Sequence, residues 1–71
     1  MPPSLSEIDS IYKDTISKLP LMEKIYHCEQ LIDKAQHNLM RNKHNMNENL
    51  RTQLINIMEA AQQEIKLLEK R

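Results

Sequence analysis

The sequence predicts an all-α fold: an antiparallel hairpin of two long helices with a shorter N-terminal helix, a three-helix bundle or coiled-coil-like unit. Three observations carry that expectation. The chain contains no glycine, two apolar seams step by alternating four and three residues, and an asparagine-rich stretch lies between them. Leu, Ile, Met, Lys, Glu and Gln recur while Phe and Trp are absent, a composition that suits helices and leaves the core without large rings. At 71 residues the chain has room for one domain, 1–71, with a small buried fraction.

The first helix is expected over 5–18. Ser4 followed by Glu7 has the form of a capping box, in which hydroxyl and carboxylate satisfy each other's free backbone N–H groups. Leu5, Ile8, Tyr12, Ile16 and Leu19 then recur at three- and four-residue steps, and Asp9 with Lys13 and Asp14 with Lys18 read as acid-before-base pairs on the outer face. Leu19-Pro20 ends this element, because the proline ring disfavours helical geometry at the residue before it and suits the first turn of the next helix. A single kinked helix is the alternative at this point.

The second helix is expected over 21–43 from the seam Leu21, Ile25, Cys28, Ile32, Ala35 and Leu39. Arg41, Lys43 and His44 crowd its end, where exposed carbonyls and the helix dipole favour positive charge. Asn42 to Asn49 contains four asparagines, residues that bond their own backbone and tolerate left-handed geometry, so this segment reads as the hairpin turn. Asn45 or Asn47 can cap the third helix, expected over 48–70 from Leu50, Leu54, Ile57, Ala61, Ile65 and Leu68. Two helices of about 22 residues are about 33 Å long. Their short connection makes them antiparallel neighbours, with the first helix able to lie across their groove.

Charge and hydropathy narrow the function. Ten basic and ten acidic side chains cancel, so the chain as a whole lacks the positive excess that drives binding to nucleic acid or anionic lipid. No apolar run approaches the length of a membrane span, and MPPSLSEID has neither the charged nor the apolar region of a signal peptide, so a protein that is cytoplasmic, or delivered without a classical signal, is expected. Cys28 is the single cysteine and cannot form an internal disulfide. His27 and Cys28 are adjacent and diverge on a helix, and Asp33 with His37 supplies two ligands where zinc takes three or four. The expectation is therefore a chain that is not an enzyme and carries no metal and no cofactor.

The apolar residues outside the seams are more informative. Ile11, Met22, Tyr26, Leu31, Met40, Ile55, Met58 and Leu67 exceed what a two-helix seam covers, and methionine is often used where one surface must accept another. Tyr12, Met22, Tyr26, Met40, Ile55 and Met58 are the expected contacts to a partner, another protein or a second copy, through a helix face or by completing a bundle. This implies an adaptor, co-chaperone, inhibitor or assembly subunit. The alternative is a regulator acting on nucleic acid, directly or through a DNA-binding partner, with Arg41, Lys43 and Arg51 around the turn as phosphate contacts opposed only by Glu48.

Ile32-Asp33, Asn42-Lys43 and Glu48-Asn49 resemble the middle of the small enterobacterial nucleoid modulators, helical proteins that act by binding a DNA-binding partner. That resemblance implies the second of the two functions. Beyond Leu50 the apolar positions leave that family's register, so no residue roles carry over. The long hairpin also resembles in architecture, without any shared motif, the small co-chaperones of type III secretion needle subunits.

Overall fold

The computed structural model describes residues 4–70. Four helices and a 3₁₀ turn follow in order: α1 (Leu5–Ile8), α2 (Ser10–Asp14), the 3₁₀ turn Ile16–Lys18, α3 (Leu21–Arg41) and α4 (Glu48–Glu69). No strand occurs among the described residues. The two long helices pack against each other as an all-α hairpin, α1 rests on α4 and the 3₁₀ turn rests on α3. The molecule is a rod of 39 × 21 × 21 Å, the proportion expected of two helices of this length side by side.

Each long helix starts and stops for a local reason. Pro20 stands at the N-cap of α3 in extended geometry, and its carbonyl accepts from the N–H groups of Glu23 and Lys24, each at 3.1 Å. Asn47 caps α4, its side-chain oxygen accepting from Leu50 N–H at 2.8 Å, so of the two candidate asparagines it is Asn47 that takes one of the orphan donors. α3 ends at Arg41, two residues before the expected end, and Asn42 leaves helical geometry with φ −110° and ψ 28°. No described residue has positive φ. The turn is thus made without the left-handed asparagine that its composition suggests.

The N-terminal segment departs from the expected single helix over 5–18. Asp9 adopts extended geometry, φ −125° and ψ 101°, and its carboxylate accepts from the backbone N–H groups of Ile11 and Tyr12. It therefore ends α1 and caps α2, a role that competes with pairing to Lys13 and wins because it satisfies otherwise orphaned donors. Thr15 breaks the chain again, and Ser17 Oγ donates to Lys13 O at 2.8 Å. Ser4 occupies the N-cap of α1 but makes no side-chain cap bond, so the capping box does not form.

These breaks let a short segment wrap over the hairpin. Leu5, Tyr12, Cys28, Ala60 and Ala61 form the core cluster, with Ile16, Leu31, Ile32 and Ile65 packed around it. Small side chains at 28, 35, 60 and 61 are all buried, and the larger Leu5 and Tyr12 pack on those at 28, 60 and 61. Burying those two side chains contributes roughly 2 kcal/mol each. Tyr12, expected at a partner surface, is 1% exposed. It belongs to the core because the break at Asp9 turns its ring toward the hairpin.

Candidate functional site

The expected contact residues separate into two groups along the rod. Met40 is 81% exposed and Ile55 38%, and both line a shallow groove of about 690 Å³ at the turn end of the hairpin. Leu39 and Met46 complete its apolar lining, and Lys43, His44 and Arg51 supply the polar part. The construction is local. The last turn of α3 brings Leu39 and Met40, the connection brings Lys43, His44 and Met46, and the cap at Asn47 fixes the start of α4 so that Arg51 and Ile55 stand one turn apart on one face.

Among the described residues no carboxylate lines this groove. Residues 34–58 carry Lys34, Arg41, Lys43 and Arg51 against Glu48 alone, so the turn half of a neutral chain is its cationic half. Lys43 and Arg51, expected as phosphate contacts, fall in the groove, whereas Arg41 is exposed outside its lining. Met46 was legible only as a residue of the turn, since a position in a connection carries no helical periodicity. Leu39 reads as a seam residue in the sequence, and it is half-buried and shared between seam and groove.

Met22 and Tyr26 lie toward the other end of α3, 73% and 64% exposed. Tyr26 lines a second depression of about 520 Å³ with Ile32, Ile65, Glu29 and Asp33 among its neighbours, a lining opposite in charge to the first. Met58 is half-buried on α4 and lines neither depression. Of the six expected partner contacts the structure brings together Met40 and Ile55, leaves Met22 and Tyr26 exposed elsewhere, and moves Tyr12 fully and Met58 partly into the body of the protein.

A polar cluster sits where the N-terminal segment meets the hairpin. His27 Nε2 donates to Asp9 Oδ2 at 3.1 Å, since the carboxylate can only accept, and both side chains are partly shielded. The His27 ring lies 5.9 Å from that of Tyr12, tilted by 34°, and the Tyr12 hydroxyl donates to Glu64 Oε2. Cys28 is buried in the core cluster that includes Tyr12. Burial first, then the carboxylates of Glu64, Asp9 and Glu29, push its thiol up to about 11. A thiol held protonated is the reverse of an activated nucleophile. Among the described residues no three His, Cys, Asp or Glu side chains gather as metal ligands, and no helix is long and apolar enough to cross a membrane.

Compared with protein-family models, curated proteins and solved structures, the chain matches none.

Proposed function

We propose that this chain is a small helical protein–protein interaction module, an adaptor, co-chaperone, inhibitor or assembly subunit, whose principal contact surface is the groove at the turn end of the hairpin. The observation that carries this reading is the meeting of Met40 and Ile55 from facing helices in one depression bordered by Lys43 and Arg51. An exposed methionine, Met40, beside fixed charge suits a surface that adapts to a partner.

Surface area supports the same reading. The accessible surface is 5585 Å², whereas a folded monomer of 8.4 kDa exposes about 4,600 Å². The difference, roughly 1,000 Å², is comparable to the about 800 Å² each partner contributes to a standard interface. The Cys28 thiol, held protonated by burial, is not an activated nucleophile, and a free thiol suits a reducing compartment such as the cytoplasm.

The test is affinity capture from the native lysate with the tagged chain beside Met40→Lys and Tyr26→Lys variants, after nuclease treatment. A protein retained by the parent and by Tyr26→Lys, and lost from Met40→Lys, is the expected result. Loss of all captured material on nuclease treatment would shift the function to the second reading, regulation through nucleic acid. Lys43 and Arg51 favour that reading because both reach the same groove, and a steep fall of binding with salt is its signature.

A further inference from the structure

Among the described residues the groove at the turn combines four apolar side chains, Leu39, Met40, Met46 and Ile55, with cationic ones and no carboxylate. Resting on the interaction-module reading, we infer that its occupant is an amphipathic helix of another protein, with apolar side chains at helical spacing along one stripe and acidic residues flanking them.

Three features of the receptor select this occupant. Among the described residues there is no strand edge, and the start of α4 is already capped by Asn47. Affinity must therefore come from side chains entering the groove, and not from a backbone ladder. A helix concentrates its apolar side chains at i, i+3, i+4 and i+7, which suits such a depression.

Charge is the second feature. Lys43 and Arg51 stand in the lining, and the surrounding half of the molecule has Glu48 as its only carboxylate between residues 34 and 58. An occupant carrying Asp or Glu beside its apolar stripe gains attraction at both cations and faster encounter, while a basic helix is repelled. The third feature separates a peptide from a nucleic acid. Neither of the two tyrosines lies in the groove, and the one ring in its lining is the imidazole of His44, so the groove lacks the large aromatic platform on which single-stranded bases stack in succession. Its exposed apolar side chains would stay uncovered against a phosphate backbone.

The experiment uses the full chain, isotope-labelled, and a designed amphipathic peptide of about 16 residues, long enough to be marginally helical alone. Its apolar stripe is Leu and Ile, with Glu on both flanks. Two further probes share its design, one with Lys for every Glu and one with Ala for every Leu and Ile. A duplex oligonucleotide is the fourth. The Glu-flanked peptide is expected to shift the amide resonances of residues 39–55. Ile55→Asp, and separately Lys43→Glu with Arg51→Glu, should weaken binding by about tenfold or more. The charge-reversed chain should then prefer the Lys-flanked peptide.

Failure separates cleanly from failure of the broader reading. Binding of the Glu-flanked peptide at Met22 and Tyr26 instead would overturn this inference and leave the interaction module standing. Equal binding of the Lys-flanked or Ala-substituted peptide overturns it, as does binding of the oligonucleotide at 39–55 without the peptide. Concentration-dependent self-association that shifts the same residues in the absence of any probe gives the groove to a second copy and overturns it too. Circular dichroism of each variant establishes that lost binding is not lost folding.

Discussion

The two ends of this rod are made of the same pair of helices and finished in opposite ways. At the end where the N-terminal segment lies, Leu5, Tyr12, Cys28, Ala60 and Ala61 are all nearly inaccessible. At the turn end, Leu50 is exposed, Leu39 is half-buried and Met40 stands in solvent. The heptad seam continues through both, so the seam alone does not set burial. A two-helix seam buries one narrow stripe per helix. A third layer is what converts small side chains at 28, 60 and 61 into a closed core, and among the described residues the turn end has no such layer. The apolar surface that remains there gathers in one groove, whereas Met22 and Tyr26 at the other end stand exposed outside it.

The largest test of this contrast compares Tyr12→Ala with Met40→Ala. Truncating a buried aromatic side chain costs about 3 to 5 kcal/mol, a large share of what a small domain has. Met40→Ala, at an exposed position, should stay within about 0.5 kcal/mol. Urea denaturation of both variants measures the difference. Equal costs would mean that the two ends are equally structural and that the contrast drawn above is wrong.

Asp9→Ala comes next. The substitution removes the cap on α2, worth about 1 kcal/mol, together with the acceptor for His27. Its effect should be local: amide exchange is expected to accelerate across 5–18 while the centres of α3 and α4 keep their protection. Uniform acceleration would show that the N-terminal segment and the hairpin open as one unit.

How much of this was legible in the sequence divides along the same line. α3 and α4 follow from their seams and from Asn47, because long helices average many small propensities and a repeated apolar spacing has few other readings. The first segment was misread at Asp9, whose side chain can equally pair with Lys13 or cap the chain two and three residues on. Local sequence does not decide between them. What decides is tertiary: with the break, Tyr12 reaches Ala60, Ala61 and Cys28, and His27 gains a partner. Ala60 went unrecognised for a related reason, since a four-three step selects Ala61, and only a third layer widens the buried stripe to include its neighbour. At the groove, Met40, Ile55, Lys43 and Arg51 were each visible as residue types out of place in a seam. Their meeting in one depression depends on the exact length and path of the turn, which composition does not specify.

Cys28 gives a smaller and pH-dependent effect at the closed end. Cys28→Ala should lower stability by about 1 kcal/mol near neutral pH, as loss of a small buried group does. Because the folded thiol titrates near 11 and not at its ordinary 9.0, its contribution is fully present below pH 9 and falls as the pH rises toward 11. The stability difference between the parent and Cys28→Ala should shrink across that window, and the parent thiol should react with an aromatic disulfide reagent only as fast as the core opens. Rapid reaction at neutral pH would show that the closed end admits solvent.

The smallest expected effect on stability, and the one that joins structure to function, is Met40→Lys. Its side chain stands at 81% exposure on the last turn of α3, where an added cation also meets the negative end of the helix dipole, worth a few tenths of a kcal/mol in favour. Folding should therefore be unchanged or slightly improved. Binding should suffer for two separable reasons: an apolar contact is lost, and a strongly hydrated ammonium is placed where a partner must displace water. Met40→Gln removes the first contribution without adding charge, so the gap between the two variants measures the cost of the charge alone. If the groove receives an acidic helix, that gap is small, since the new lysine adds an attraction that offsets its own desolvation. If an uncharged apolar surface docks there instead, Met40→Lys is much the worse of the pair. Melting temperature and partner affinity measured together on the two variants distinguish these cases, and a large loss of melting temperature in either would place Met40 in the fold and remove it from the contact surface.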